Sequence, residues 1–297
     1  MSRRSLGLRI FGTIVFVIVV VLFGALIYSA FQNNGKPLDT FVPNGPSAQE
    51  IQNLVLPVFA IAGVVFVGVM GAVLFITWKF RTRTSDDPEE FPEQVHGRTG
   101  LEIGWTILPA LILAGVAVGT VATIINLNKK EDNAIQVQVA GQQWWWQYKY
   151  DLNGDGNFDG PEDITTATEM VIPAGRAIQV TTTSNDVIHS FWIPGLNGKK
   201  DAVPGLRSQL KLEADTPGVY RGQCTEYCGL SHANMRMLVR AVSTSEYDSW
   251  VTNQLKDHAA DPTDPKALAG KTTWKSLCAQ CHVIKGVNEE KMKTAKV

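Results

Sequence analysis

Residues 222–235 read Gly-Gln-Cys-Thr-Glu-Tyr-Cys-Gly-Leu-Ser-His-Ala-Asn-Met and place two thiols, an imidazole and a thioether within twelve positions. Thiolate and thioether sulfurs are soft ligands that favour copper over magnesium or calcium, and imidazole also suits copper. Zinc sites usually combine four nitrogen and sulfur ligands and have no use for a methionine. Cys224 and Cys228 could each offer a thiolate to the same metals, with His232 and Met235 as terminal ligands. The stretch therefore indicates a copper site.

A symmetric site with two coppers needs a second terminal imidazole. His189, within Asp-Val-Ile-His-Ser-Phe-Trp-Ile-Pro, is the histidine that lies in a plausible upstream strand. The spacing Cys-x-Glu-x-Cys-Gly-x-x-His-x-x-Met, preceded by Asp-Val-x-His-Ser-Phe, resembles the dinuclear CuA centre of cytochrome c oxidase subunit II. This resemblance extends over most of the chain.

The resemblance implies a set of copper ligands: the bridging residues Cys224 and Cys228, the terminal residues His189 and His232, and the weak ligands Met235 and Glu226, the last through its backbone carbonyl. The Glu226 carboxylate would reach a magnesium ion at the interface with the catalytic subunit, subunit I. The residues alone leave an alternative. Exported proteins oxidise their thiols, so Cys224 and Cys228 could form a disulfide with the other side chains merely nearby.

Composition divides the chain into apolar and polar parts. The net charge of −1 over 297 residues argues against nucleic acid as the partner. Residues 10–31, 54–78 and 103–127 form apolar stretches that are nearly free of charge, and each could cross a hydrocarbon core of about 30 Å. Three arginines precede the first stretch, which the positive-inside rule interprets as a cytoplasmic N-terminus.

These stretches predict a membrane anchor. Residues 1–31 would be a signal sequence or an extra transmembrane helix, and residues 32–53 an external loop. Residues 54–127 would form a transmembrane helical hairpin whose turn lies in the cytoplasm. The expected location is a bacterial cell membrane, crossed more than once, with the region after residue 127 on the periplasmic or extracellular side.

After Leu127 the pattern changes to short alternating runs, such as residues 135–140 and 177–183, separated by Gly, Pro, Asn and Asp. Such runs are typical of strands in an antiparallel sandwich. Residues 128–257 are therefore predicted to form a Greek-key β-sandwich of the cupredoxin type, with metal ligands on loops at one end. The fold class is a membrane-anchored all-β protein.

Residues 143–150, Gln-Trp-Trp-Trp-Gln-Tyr-Lys-Tyr, are the stretch of the chain that is richest in aromatic residues. Strand alternation would bury one face of this run as ordinary core. The family resemblance implies that a tryptophan here receives electrons from cytochrome c. We expect this role at Trp144, with Trp146 as the second choice.

Residues 101–109, Leu-Glu-Ile-Gly-Trp-Thr-Ile-Leu-Pro, resemble the start of the second membrane helix of subunit II. The resemblance implies that Glu102 lies at the mouth of a proton-conducting channel of the neighbouring subunit. Alternatively, its carboxylate simply stabilises the N-terminus of the helix, where negative charge is favourable.

Residues 151–162 match the calcium-loop pattern Asp-x-Asn-x-Asp-Gly-x5-Glu. The candidate calcium ligands are Asp151, Asn153, Asp155, Asp159 and Glu162. A hairpin loop rich in Asp, Asn and Gly explains the same pattern without calcium.

Residues 258–269 indicate a linker punctuated by prolines, and residues 270–297 begin a helical cytochrome c segment. The motif Cys-x-x-Cys-His at Cys278, Cys281 and His282 is the attachment signature of c-type haem. It resembles the first helix of the small cytochromes c that are fused to subunit II in some bacterial oxidases. Fifteen residues follow His282, so we expect either a truncated fusion or a remnant.

Together, the patterns and the family resemblance predict subunit II of a bacterial haem-copper cytochrome c oxidase. It would carry electrons from cytochrome c through CuA to subunit I, which reduces O2 with proton translocation, and subunit III would be a further partner. The sequence suggests three rivals: a membrane-anchored copper chaperone, a CuA donor to another reductase such as one for nitrous oxide, and a quinol-oxidase homologue. Chaperone motifs usually continue with Pro where Gly229 stands, and a quinol oxidase should lack the copper ligands.

Overall fold

The computed structural model describes residues 38–81, 96–256, 261–279, 282–284, 287 and 288, together with part of the segment 13–29, whose described residues are helical. The chain divides into two compact units. One comprises residues 47–129, and the other comprises residues 1–46 and 130–297.

The first unit consists of two long helices, α1 over Pro46–Lys79 and α2 over Thr99–Leu127. Both are long and apolar enough to cross a membrane. Large apolar side chains are exposed along both helices, and helices that are hydrophobic all round are typical of membrane spans. The Asn126 side chain donates a 2.7 Å hydrogen bond to Glu50 Oε1, joining the end of α2 to the start of α1. The two helices therefore form an antiparallel pair.

Both helices begin earlier than hydropathy predicts. Helix α1 starts at Pro46, so the predicted external loop 32–53 is too long and its last residues are helical. Proline is favoured at the first position of a helix, because the N–H that it lacks would have no hydrogen-bond partner within the helix there. Helix α2 likewise starts at Thr99, before the apolar stretch 103–127. A search for apolar runs does not detect a polar first turn of a helix.

In the described part of the second unit the chain forms a β-sandwich. The strands are β1 Ile135–Gln142, β2 Trp145–Asp151, β3 Ile164–Ala167, β4 Glu169–Pro173, β5 Ile178–Ser184, β6 His189–Phe191, β7 Lys200–Ala202, β8 Ser208–Leu212, β9 Gly218–Gln223 and β10 Arg236–Val242. One sheet has the order β3-β2-β1-β5-β8, a second has the order β4-β10-β9, and β6 pairs with β7.

The expectation of an antiparallel sandwich is wrong for two strand pairs. Strand β1 runs parallel to β5, and β4 runs parallel to β10, whereas the other paired strands are antiparallel. Parallel neighbours need a long crossover connection. Here the chain from β1 to β5 passes through β4 in the other sheet. Side chains alternate in both kinds of pairing, so the sequence pattern could not distinguish them.

Strand β2 supplies the aromatic part of the core. Trp146, Tyr148 and Tyr150 are fully buried on one face of the strand. Phe191 on β6 packs edge-on against Trp146 and Tyr148, with ring centroids 5.4 and 6.4 Å apart. Edge-to-face pairs of this kind add about 0.5–1.5 kcal/mol beyond the burial of apolar area. Because Phe191 is two residues after His189, this packing also holds β6 in place.

A helix, α3 over Thr244–Leu255, ends the sandwich and was not expected within residues 128–257. It starts with a capping box, in which Ser243 and Glu246 satisfy each other's backbone N–H groups. Its Trp250 packs against Tyr150 with ring centroids 5.2 Å apart. The helix therefore covers the aromatic core rather than continuing a strand.

A further helix, α4, spans Pro265–Thr273 and continues into a π-helical turn over Trp274–Cys278. It begins inside the predicted linker 258–269. Asp264 caps it by accepting a 2.9 Å hydrogen bond from Ala267 N, and Pro265 takes the first helical position. An Asp-Pro pair is thus a helix start here rather than a break.

The Tyr150 hydroxyl connects the two main sheets. It donates to Val171 O at 3.1 Å and accepts from Val171 N at 2.8 Å. Val171 belongs to β4, an edge strand, so these groups would otherwise be buried without partners. Burial raises the pKa of Tyr150, which keeps the phenol protonated as a donor.

We expect Tyr150→Phe to lower the free energy of unfolding by about 1–3 kcal/mol, because it leaves two buried backbone groups of Val171 without hydrogen-bond partners. Tyr220→Phe is the matched control. Its hydroxyl also donates to a backbone carbonyl, that of Thr216, but at an exposed position, so its effect should stay within about 0.5 kcal/mol. Denaturant unfolding of the purified chain measures both. Equal effects of the two changes would contradict the structural role of Tyr150.

Candidate metal centre

The ligand loop, residues 224–235, connects β9 to β10 and is closed by its own backbone. Cys224 N donates to Met235 O at 2.9 Å, which brings the first and last residues of the loop together. Thr225 N donates to Ser190 O at 3.1 Å, which joins the loop to β6. The loop and the strand that carries His189 are therefore held side by side.

The predicted ligand side chains converge at this junction. The Sγ atoms of Cys224 and Cys228 are 3.9 Å apart. Cys224 Sγ is 4.0 Å from His189 Nδ1, and Cys228 Sγ is 3.5 Å from His232 Nδ1. The Sδ atom of Met235 lies 3.7 Å from Cys228 Sγ. The structure thus brings together two thiols, two imidazoles and one thioether.

The Glu226 backbone carbonyl also faces this group, with its oxygen 3.2 Å from Cys224 Sγ. The Glu226 side chain belongs to an exposed residue. The predicted division of roles, with the carbonyl toward the copper site and the carboxylate elsewhere, is compatible with this placement.

The chemistry of these donors fits copper. Cys224, Cys228, His189 and Met235 are almost completely buried and His232 is half-buried, so thiol, thioether and imidazole donors are collected in a site with little access to water. The ligand atoms of the two cysteines and His189 all lie within 4.8 Å of one another. A disulfide would place the sulfurs about 2.05 Å apart, whereas Cys224 and Cys228 are free thiols. The structure therefore favours the metal site over the disulfide.

Asp186 orients the His189 ring. Its Oδ1 accepts a 2.7 Å hydrogen bond from His189 Nε2. A carboxylate partner assigns the ring proton to Nε2, so Nδ1, which faces Cys224, is left free to bind metal. Partial burial raises the pKa of Asp186, but the bonds from His189 and from the backbone N–H groups of Gln143 and Val187 outweigh it and lower the pKa.

The two thiols have different acidities. Burial raises the pKa of Cys224, but contacts with His189 and with nearby backbone groups outweigh it and lower the pKa to about 7. Burial and the neighbouring Cys224 charge raise the pKa of Cys228. One thiolate is therefore available near neutral pH, and the second proton must leave when a metal binds.

Asp186, Gln143 and Gly141 contribute to the site although the sequence did not single them out. A Cβ at Gly141 would lie 2.6 Å from His189 Cδ2, so only glycine lets the ring lie against β1. The signal for Asp186 was its position three residues before His189. Gly141 and Gln143 carry no comparable signal, because their contacts cross between strands.

The two candidate tryptophans differ in their exposure to solvent. Trp146 is fully buried and packs edge-on against His189 at 5.9 Å. It has no surface to present to a donor protein, which favours Trp144 over Trp146, and electron entry at either residue stays a prediction. Trp144 is half-buried, and its Nε1 donates to Cys228 O at 3.1 Å. It lies beside the ligand loop with part of its ring accessible.

The candidate calcium ligands hydrogen-bond to one another and to their own loop: the Asn153 amide donates to Asp155 Oδ2 at 3.1 Å and to Glu162 Oε1 at 2.6 Å. The Asp151 carboxylate accepts hydrogen bonds from the backbone of Gly154 and Gly156, and Asp159 pairs with Lys149 at 2.6 Å. Among the residues that the structure describes, the metal-compatible group of His, Cys, Asp and Glu is the one at His189, Cys224 and Cys228. The acidic loop uses its carboxylates to hold its own backbone, and calcium binding stays a prediction.

The haem motif is described in part, since Cys281 lies outside the described residues. Cys278 is exposed with a free thiol at the end of the π-helical turn. His282 N donates to Cys278 O at 2.8 Å, so the two residues are one helical turn apart. This spacing fits a thiol and an imidazole that approach the same haem.

Comparison with known proteins identifies the family. Residues 135–242 match the family described as cytochrome c oxidase subunit II, periplasmic domain, and residues 35–122 match its transmembrane domain. Cytochrome c oxidase subunit 2 of Alkalihalophilus pseudofirmus is 36% identical over 252 residues, which cover 82% of this chain and 70% of that protein. The chain belongs to the cytochrome c oxidase subunit II family. Its relatives therefore support subunit II function in a respiratory oxidase.

A second relative in sequence agrees with this family. Cytochrome c oxidase subunit 2 of Arabidopsis thaliana is 35% identical over 228 residues, 71% of this chain and 86% of that protein. The periplasmic domain of subunit II of cytochrome oxidase of Bradyrhizobium japonicum is 30% identical and covers 42% of this chain and 95% of that chain, with a TM-score of 0.37. The subunit II family carries the CuA centre, and His189, Cys224 and Cys228 form its candidate site here.

We expect Cys224→Ser and Cys228→Ser each to abolish the mixed-valence EPR spectrum of a two-copper site, because both sulfurs face the same group of donors. Met235→Leu is the control: it removes a ligand that is predicted to be weak, so both coppers should stay bound with a shifted reduction potential. Copper analysis and EPR of the purified chain measure these effects. A normal spectrum in either serine variant would show that the assignment of the ligands is wrong.

Proposed function

We propose that this subunit II chain accepts electrons from cytochrome c beside Trp144, holds them at the CuA site and passes them to subunit I. The observation that carries the proposal is the convergence of five predicted ligand side chains at the junction of β6 and the ligand loop. When bound, the copper pair supplies a centre that gains and loses one electron.

The chain's own contribution is to keep these ligands still. His189 is part of a strand, its ring is held by Asp186, and the ligand loop is closed at Cys224 and Met235. A rigid site changes little in geometry when its charge changes, which lowers the reorganisation needed for each electron transfer. We assign Glu226 the backbone-carbonyl ligand and, through its carboxylate, the magnesium ion shared with subunit I.

Trp144 is proposed as the point of electron entry. Its ring is partly accessible, and its indole N–H is bonded directly to the backbone of the ligand Cys228. An external donor that touches Trp144 would thus be one hydrogen bond from the ligand loop.

Trp144→Ala should slow electron uptake from cytochrome c by roughly ten-fold or more, equivalent to about 1.4 kcal/mol of barrier, while the CuA spectrum persists. Trp145→Ala is the matched control, because Trp145 is also half-buried but begins β2. Stopped-flow reduction of the purified chain by cytochrome c measures both rates. Normal uptake by the Trp144 variant, with only its stability lowered, would make Trp144 a core residue.

Glu102 is proposed to lead protons into subunit I. It lies in the first turn of α2, at the end where the predicted cytoplasmic loop enters the helix. The alternative role, stabilisation of the helix N-terminus, requires the same position of Glu102. The two roles therefore predict different effects on the assembled oxidase, although the location is the same in both.

Glu102→Ala should therefore depress oxygen turnover by the assembled oxidase and leave the reduction of CuA unchanged. Glu102→Asp keeps a carboxylate and should retain most of the turnover. The measurements are oxygen consumption and stopped-flow CuA reduction on the same preparations. Full turnover in a normally assembled Glu102→Ala complex would reduce Glu102 to a residue that stabilises a helix end.

We further propose that residues 270–297 carry covalent haem c on Cys278 and Cys281, with His282 as an iron ligand. Residues 128–257 contain 12 basic and 16 acidic groups, and residues 258–297 contain 7 basic and 4 acidic groups, so their net charges are −4 and +3. Opposite charges favour encounter and orientation, and a short tether raises the effective concentration to about millimolar. The haem segment would therefore dock near Trp144 and deliver electrons within the chain.

The haem-to-copper transfer rate in the full-length chain should fall as salt is raised, because the Debye length shrinks from about 10 Å at 0.1 M to about 3 Å at 1 M. Flash photolysis of a preparation matured in a host competent for cytochrome c measures this rate. A salt-independent rate would exclude electrostatic docking. Absence of covalent haem would remove the redox role of residues 270–297.

The remaining assignments concern the setting of the chain. We propose two membrane crossings by α1 and α2 in a bacterial cell membrane, with the cupredoxin domain of residues 128–257 on the periplasmic side. Residues 1–31 would be a cleaved signal or an additional crossing. Subunit I and subunit III would be its neighbours in the complex.

A further inference from the structure

We propose that Gln143 is a positioning residue of the copper site that ties its two halves together. The inference rests on the proposed CuA site and deepens it. The ligands come from two places in the chain, with His189 on β6 and the other ligands on the ligand loop. Gln143, between β1 and β2, bonds to both.

The side chain of Gln143 holds the ligand loop. Its Nε2 donates to Cys228 O at 2.7 Å. The backbone of the same residue holds the other half, since Gln143 N donates to Asp186 Oδ2 at 2.6 Å. Asp186 in turn accepts from His189 Nε2 through its other carboxylate oxygen at 2.7 Å. A single residue thus connects Cys228 to the carboxylate that orients His189.

The Gln143 side chain is held although the residue is exposed. Water can satisfy an exposed amide group, and ordering a glutamine side chain costs conformational entropy. The short bond to Cys228 O is therefore a specific contact. Trp144 Nε1 donates to the same carbonyl at 3.1 Å, so both lone pairs of this oxygen are used.

Gly229 makes room for this arrangement. It has a φ of +117°. A Cβ there would lie 3.0 Å from Gln143 Nε2 and 3.2 Å from Trp144 Cζ2. The two side chains therefore lie directly against the backbone that follows Cys228. Only glycine adopts this φ readily and also permits such a close approach.

The hydrogen bonds of Gln143 go to the Cys228 carbonyl and the Asp186 carboxylate rather than to a sulfur or ring nitrogen of the site, so it acts through these two residues. By fixing the carbonyl of Cys228 it fixes the backbone that aims Cys228 Sγ at Cys224. Hydrogen bonds from neighbouring residues to the metal ligands set the orientation of those ligands, and their loss typically costs 10- to 100-fold in metal affinity.

The test uses the full chain, purified in detergent and loaded with copper. Gln143→Met keeps the length of the side chain and removes its donor, and we expect about ten-fold faster loss of copper to a chelator, with altered copper hyperfine splitting in EPR. Gln179→Met is the matched control. Gln179 is buried, and its Nε2 donates to Leu210 O at 3.4 Å. Gln179 lies five residues before Ser184 on β5, a distance of roughly 17 Å. Its substitution should therefore change neither the loss of copper nor the hyperfine splitting.

Trp144→Phe removes the second donor to the same carbonyl and keeps an aromatic ring, so it provides an independent variant. We expect it to speed copper loss as well, and the double variant to exceed both single ones. Wild-type copper retention and spectrum in Gln143→Met, with only the unfolding midpoint lowered, would overturn the positioning role. A wild-type chain without a two-copper spectrum would instead overturn the proposed function.

Discussion

The copper site depends on one constraint: two segments of the chain that are far apart in sequence must be held against each other. His189 and Cys224 are 35 residues apart. The hydrogen bonds from Cys224 N to Met235 O and from Thr225 N to Ser190 O fix the ligand loop to itself and to β6. The sandwich makes this possible, because its buried core offsets the entropy of closing such a long connection.

The aromatic run illustrates how one strand serves both the core and the site. Trp146, Tyr148 and Tyr150 are buried, and through Phe191 they hold β6 and therefore His189. Trp144, just before β2, turns instead toward Cys228. The same packing that stabilises the sandwich thus places an accessible ring beside the candidate copper ligands, so the core and the proposed point of electron entry share one structural element.

Polar groups around the ligands complete the site. Asp186 leaves His189 Nδ1 available, and the contacts of Cys224 lower its thiol pKa to about 7. These effects work because the site is buried, where hydrogen bonds and charges act more strongly than in water. Burial also keeps the thiols from solvent. The ligand geometry is therefore maintained by the protein, which suits a centre that exchanges electrons repeatedly.

Sequence alone determined the candidate ligand loop, the apolar spans and the sandwich, because each depends on local spacing or on the periodicity of apolar residues. The spacing from Cys224 to Met235 identified a soft-metal loop, and the apolar stretches identified α1 and α2 apart from their polar first turns. Tertiary structure decided the parallel pairings of β1 with β5 and β4 with β10, since side chains alternate alike in both directions. It also distinguished Trp144 from Trp146 and revealed Asp186, Gln143 and Gly141. Those roles arise from contacts between distant segments, and no local pattern of residues records which segments meet.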